Sequence, residues 1–248
     1  MRSTNSPRIV ALQTAYWRDV DEAHFDWQTE NPYIAGTEAA LLGSVEVKPG
    51  ERILEIGCGE GANLRHLLRR APDARYYAVD FSLNKVRFAR DRLKAATAVA
   101  DGALLPFCGG SFDAVFVRDV LHHVPDRSAV LNEAVRILKP GGRLTLIEPN
   151  RRNPLIALMA VAIPEERGML ASTRERLVGE VGATGARIAS VEPSQPFPIS
   201  RLVLHYRFGA PRLGRMSLGT RALAFAERIA RALPRSTWAY LVLHAVAP

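Results

Sequence analysis

Residues 52–64 read Arg52-Ile53-Leu54-Glu55-Ile56-Gly57-Cys58-Gly59-Glu60-Gly61-Ala62-Asn63-Leu64. An apolar run ends in three glycines at alternate positions, and a helical pattern opens near Asn63. The spacing predicts a buried strand, a tight turn and a helix start. Glycine in such a turn reaches positive φ and lets a ligand approach the main chain. The unpaired N–H groups at the helix start then face whatever sits above the turn. The stretch is therefore read as a nucleotide-like cofactor site.

Two cofactor classes compete for it. Gly57, Gly59 and Ala62 satisfy the G-x-G-x-x-G/A dinucleotide fingerprint. Tyr76-Tyr77-Ala78-Val79-Asp80 supplies a second strand ending in an acid, nineteen residues past Gly61. A carboxylate there can accept ribose hydroxyls of NAD or of another adenosine cofactor. Glu55 separates the two. A carboxylate at the cradle repels a pyrophosphate and attracts a cationic head group.

On these residues the chain resembles the class I S-adenosylmethionine-dependent methyltransferases, in particular their small-molecule and lipid branch. Glu55-Ile56-Gly57-Cys58-Gly59-Glu60-Gly61 is similar to that family's first motif, E/D-x-G-x-G-x-G. Asp101-Gly102-Ala103-Leu104-Leu105-Pro106-Phe107 resembles its adenine-side loop, and Ser111–Val117 its fourth strand. Leu121-His122-His123-Val124-Pro125-Asp126 and Leu138-Lys139-Pro140-Gly141-Gly142-Arg143-Leu144 follow in the family's order. The resemblance covers roughly residues 50–150. It implies S-adenosyl-L-methionine as cofactor, with Glu55 toward the cationic end and the backbone of Gly57, Cys58, Gly59 and Gly61 around it. It also implies Asp80 on the ribose, Phe81 against adenine, and Asp101, Gly102 and Ala103 at the adenine edge. Arg118 would open the loop that faces the transferred methyl group. His122 is the candidate base, because histidine titrates near neutrality. Alignment of the reactants can also supply much of the rate without a base.

The chain has 248 residues, enough for one large α/β domain with additions. Strand and helix patterns alternate through the core: strands near 51–56, 75–80, 97–100, 112–117 and 143–148, with helices near 62–71, 82–95 and 127–138. This predicts an α/β, Rossmann-like, doubly wound, mostly parallel seven-stranded sheet, completed by strands near 187–191 and 238–245. Residues 1–45 read as an N-terminal helical cap containing Tyr16, Trp17, Phe25, Trp27 and Tyr33. Residues 46–248 read as the methyltransferase domain, with a helical insertion of about 200–236 before the last strand. Within that insertion, residues 220–233 form an amphipathic pattern: Arg221, Arg228 and Arg231 against Ala222, Phe225, Ala226, Ile229 and Leu233.

Net charge is +8, and residues 201–248 hold eight Arg and the single acid Glu227, hence +7 of it. The basic balance belongs to the C-terminal segment. Two cysteines, Cys58 and Cys108, offer neither a disulfide framework nor metal spacing. Two adjacent histidines without a third ligand make a poor metal site, so no metal is expected. No leader or spanning segment is read, and the expected setting is cytoplasmic.

The expected partner is a small-molecule or lipid-like acceptor, with peripheral membrane contact through the basic insertion. DNA is argued against. Enzymes of the resembling family that methylate nucleobase amino groups carry N/D-P-P-Y/F where this chain has Arg118-Asp119-Val120-Leu121. An RNA or protein methyltransferase, a catalytically silent cofactor-binding module and a NAD-dependent oxidoreductase stay open as alternatives. Neither the acceptor, the atom methylated nor the oligomeric state is readable from residues.

Overall fold

The structure is a computed structural model that describes residues 18–93 and 95–248. Tyr16 and Trp17 of the expected N-terminal cap lie outside the described residues. Seven strands form one sheet: β1 (Arg52–Ile56), β2 (Arg75–Asp80), β3 (Ala96–Val99), β4 (Phe112–Arg118), β5 (Leu138–Pro149), β6 (Arg187–Ser194) and β7 (Tyr240–Val246). Their order is β3-β2-β1-β4-β5-β7-β6. The pairs from β3 through β5 are parallel, while β7 runs antiparallel to both β5 and β6. Strand order reverses between β1 and β4, and such a switch point leaves a crevice at the carboxyl ends of the strands.

The central strands are apolar on both faces because helices cover both. Alternate residues of β1 and β4 therefore serve two cores. Leu54, Ile56, Val115 and Val117 pack with Val130, Leu131 and Ala134 of α5 (Arg127–Arg136). Leu177 and Val181 of α7 (Arg174–Gly182) join the same cluster. Ile53, Ala114 and Phe116 pack on the other face with Leu64 and Leu67 of α3 (Ala62–Arg70). Leu41 and Leu42 of α2 (Pro32–Leu42) and Ile156 and Ala160 of α6 (Pro154–Ala162) complete that face.

The caps are local. Asn31 ends α1 (Glu22–Glu30), and its side chain accepts from Ile34 N to open α2, with Pro32 behind it. The Ser82 hydroxyl accepts from Lys85 N and starts α4 (Leu83–Arg92). Residues 139–142, expected as a stop before a strand at 143–148, instead lie within β5. They form an irregularity: Phe112 pairs with Leu138 and Ala114 with Arg143. Gly141, at φ +73°, and Gly142 exchange hydrogen bonds with Ala247 at the end of β7. Tertiary pairing thus converts the turn into a bulge.

The stretch between β6 and β7 folds as α8 (Ile199–Val203), a 3₁₀ turn (Pro211–Arg215) and α9 (Ser217–Ala230). It docks on the N-terminal helices. Trp27, Ile34, Leu204 and Leu223 form a third apolar cluster, and Trp27 Nε1 donates to Leu204 O at 2.6 Å. Asn31 Nδ2 donates to Pro211 O, and the Tyr33 hydroxyl donates to Glu227. α9 buries Leu223 and Ala230, whereas Phe225 is 66% and Ile229 59% exposed. The apolar side expected in the sequence therefore faces outward, and a narrower stripe makes the attachment.

Candidate active site

The glycine turn follows β1. Gly57, Gly59 and Gly61 have φ of +75°, +52° and +87°. A Cβ on Gly57 would meet Val120 at 2.3 Å, and one on Gly61 would meet Leu93 at 2.6 Å. At Gly59 a Cβ would meet nothing within 4 Å, so the turn opens there. Cys58 is buried, with its thiol pushed up by burial, so only its backbone can serve a ligand.

Glu55 is fully buried at the end of β1. Asn63, in the first turn of α3, donates to its Oε1 at 2.7 Å. Its Oε2 has no hydrogen-bond partner among the described residues. Burial raises its pKa to about 8, against the bond from Asn63 and the charge of Arg118. A buried carboxylate oxygen without a partner is costly, and a cationic donor reaching it would satisfy it.

Asp80 closes the other side of the turn. Its Oδ2 accepts from Gly59 N and its Oδ1 from Ser82 N, both at 2.9 Å. Burial raises its pKa, opposed by these two bonds. Each oxygen keeps a lone pair for a hydroxyl donor. Phe81, next in sequence, is 47% exposed. In the loop after β3, Asp101 is exposed and its Oδ1 accepts from Ala103 N at 2.9 Å. Gly102 packs against Ile56, where a Cβ would come within 3.1 Å. These residues all follow the carboxyl ends of β1, β2 and β3.

The second half of the site lies at the ends of β4, β5 and β7. Arg118, expected to face the transferred methyl group, is buried and spoken for. Its Nη2 donates to Glu38 at 2.5 Å, its Nη1 to Asn63 Oδ1 at 2.9 Å, and its Nε reaches Asp119 at 3.3 Å. Arg201 of α8 pairs with the other oxygen of Glu38. Burial alone would raise the pKa of Glu38, but the two guanidiniums hold it at about 2. A chain of contacts thus runs Glu38–Arg118–Asn63–Glu55, and Arg118 positions the residue that positions Glu55. Asp119 sits at φ +55°, a left-handed conformation that is sterically unfavourable for a residue with a side chain. Neither Glu38 nor Asn63 carries a sequence signal of this role, beyond the place of Asn63 in the first turn after the glycines.

The histidine pair is also different from the sequence expectation. His122 is buried between two carboxylates. Its Nδ1 lies 2.9 Å from Glu148 and its Nε2 3.5 Å from Glu166. Burial disfavours its charge, yet Glu148 and then Glu166 raise its pKa to about 10. The two carboxylates thus favour the charged form of the ring. Burial and the neighbouring charged His122 instead lower His123 to about 3. The premise that the pair lacks a third ligand is corrected. Glu166, from the 3₁₀ segment Pro164–Ala171, stands beside both rings.

A family model described as "Methyltransferase domain" matches residues 54–146. The 27-O-demethylrifamycin SV methyltransferase of Amycolatopsis mediterranei is 37% identical over 113 residues, 43% of this chain and 41% of that protein. A ubiquinone/menaquinone biosynthesis C-methyltransferase of Bordetella parapertussis is 35% identical over 120 residues, 46% of each chain. The chain spans less than half the length of these curated relatives. Among solved structures, the geranyl diphosphate C-methyltransferase of Streptomyces coelicolor aligns with a TM-score of 0.65 at 17% identity, over 98% of this chain and 99% of that one. Phosphoethanolamine N-methyltransferase 2 of Haemonchus contortus aligns at 0.64 and 22%, over 90% of this chain and 56% of that one. These two likenesses concern the fold. The sheet order and the glycine turn agree with the match to a methyltransferase domain over residues 54–146.

Proposed function

We propose that the protein is a methyltransferase that uses S-adenosyl-L-methionine and acts on a small-molecule acceptor. The observation that carries the reading is the unpartnered, fully buried Oε2 of Glu55, two residues before a glycine turn that is open at Gly59. Glu55 would take the cationic end of the cofactor, Asp80 the ribose hydroxyls, and Phe81 with residues 101–103 the adenine. The cofactor, when bound, supplies a methyl group on a sulfonium. The chain's own work is to align an acceptor with it and exclude water. Arg118 then acts as a positioning residue, since it is locked in an ion pair with Glu38. Calorimetry should show saturable binding of S-adenosylmethionine and S-adenosylhomocysteine and none of NAD. Asp80→Ala should weaken it by ~1.5–3 kcal/mol, because two hydroxyls lose a charged acceptor. Tight NAD binding, or unchanged affinity in that variant, would overturn the assignment.

The acceptor side falls, on this reading, beneath the N-terminal helices and the 200–236 insertion, which are joined through Trp27 and Leu204. A cavity of about 360 Å³ lies there, lined by Thr37, Gln195, Ser200, Arg201, Glu227 and Trp238. Arg201 Nε and Gln195 Oε1 have no hydrogen-bond partner among the described residues, so the cavity suits an acceptor with a polar or anionic group. Among the described residues, no helix is long and apolar enough to cross a membrane. Two free cysteines suit a reducing, cytoplasmic setting.

Peripheral membrane contact through α9 is part of the same proposal. Leu218, Phe225 and Ile229 are exposed on one side of it, with Arg221 and Arg228 flanking them. Apolar and basic groups so arranged suit an anionic lipid interface. Wild type should sediment with anionic vesicles at low salt, less at high salt, and little with neutral ones. An Arg221→Glu, Arg228→Glu variant should stay in the supernatant. Equal partition of the two proteins would reject membrane contact.

A further inference from the structure

We propose that His122, His123 and Glu166 form a binding site for a first-row divalent metal ion. Three donor atoms converge from two separate segments. Glu166 Oε2 lies 3.5 Å from His122 Nε2 and 3.9 Å from His123 Nε2, and a set of ligand atoms from the three residues lies within 4.8 Å of one another. Ligand atoms of a tetrahedral ion with bonds near 2.1 Å stand about 3.4 Å apart. Two ring nitrogens turned toward one carboxylate oxygen, at distances long for hydrogen bonds, leave the spacing that a bridging ion fills. Glu166 Oε2 is buried, and the two rings are the groups that face it.

The surroundings are those of a metal site. A ligating histidine usually donates its second ring N–H to a carboxylate, which fixes the tautomer and the ring. Glu148 does this for His122 Nδ1 at 2.9 Å. Glu148 is itself held, because its Oε1 accepts from Val120 N and Leu121 N at 3.0 and 2.9 Å. Gly168 brings the third ligand into place. A Cβ there would come within 1.7 Å of His122 O, so only glycine lets the 3₁₀ segment lie directly on the histidine. That seats Glu166 over both rings. Two imidazoles and one carboxylate suit Zn²⁺, Mn²⁺ or Fe²⁺ rather than Ca²⁺. Three protein ligands leave a position for water or for an acceptor oxygen. That last role rests on the proposed methyl transfer, whereas binding of the ion does not.

The test uses the untagged full chain, stripped with a chelator and titrated with Zn²⁺ by calorimetry and with Co²⁺ by visible absorption. One ion per chain is expected, with Co²⁺ d–d bands and no thiolate charge-transfer band from Cys58 or Cys108. Glu166→Gln, which preserves size and shape, and His123→Ala should each remove saturable binding. Glu148→Gln should weaken it about 10–100-fold, as loss of an outer-shell partner does. S-adenosylhomocysteine binding is measured on every variant. Its retention shows that the fold is intact, and its absence from wild type would sink the proposed function and leave the metal result standing. Failure of wild type to bind either ion, or unchanged binding in Glu166→Gln, overturns the site.

Discussion

The ends of β1, β2 and β3 and the ends of β4, β5 and β7 meet in one crevice but are built by different means. On the first side the polar groups come from short stretches of sequence and answer to the main chain or to a side chain just past the glycine turn. Asp80 is held by the backbone of Gly59 and Ser82, and Glu55 by Asn63 one turn downstream. On the second side they come from distant segments and answer to each other. Glu38 is held by Arg118 and Arg201, and His122 by Glu148 and Glu166. A side built on backbone contacts keeps its lone pairs and oxygens available for a ligand. One built on buried ion pairs spends most of them in fixing its own shape.

That contrast breaks if the ion pairs are dispensable. Arg118→Met should cost ~3–5 kcal/mol of stability, because it leaves Glu38 buried with only Arg201 beside it. The companion double variant Glu38→Leu, Arg118→Met should recover much of that loss. Urea titration gives both numbers. A loss below ~1 kcal/mol in the single variant would show that the pair is solvated like a surface bridge.

The next effect concerns Glu55, and here the sign with pH is definite. Its folded pKa, about 8, lies above the ordinary 4.5. The stability it contributes is therefore fully present below about pH 4.5 and is lost as pH rises through about 8. Unliganded wild type should lose stability across that window relative to Glu55→Gln. The same variant should bind S-adenosylmethionine more weakly by ~1.5–3 kcal/mol, since the charged acceptor is gone. Parallel stability curves for the two proteins would show that Glu55 is ionised and satisfied without a ligand.

The smallest effect sharpens the picture of the turn. Gly59→Ala should cost only the left-handed backbone strain, ~1–2 kcal/mol, because nothing crowds its Cβ. It should nevertheless reduce cofactor binding, since the new methyl fills the open approach. Gly57→Ala, facing Val120, should destabilise more. If Gly59→Ala bound S-adenosylhomocysteine normally, the ligand would not pass over that residue.

Legibility follows the same division. The turn, the acid that ends β2 and the alternation of strands and helices were readable because each is a local pattern: glycine for positive φ, acid at a strand end, apolar runs of strand length. Arg118 and His122 were read as reactive because they follow β4, where a ligand is expected. Nothing in their neighbourhood of sequence announces Glu38, eighty residues before Arg118, or Glu166 after the sixth helix. The outward turn of Phe225 and Ile229 was equally hidden. Amphipathicity shows that a helix has an apolar side, and the packing partners decide whether that side is the buried one.

By itself, then, the sequence determined the parallel sheet and the glycine turn after its first strand, since short-range geometry and residue type dictate them. Only the tertiary structure decided the carboxylates on either side of His122, the partner of Arg118, the third group beside the histidine pair and the face that α9 shows to solvent. The physical reason is that burial and ion pairing act between segments that the chain brings together only on folding. A side chain's ionisation and freedom depend on those neighbours more than on its own identity.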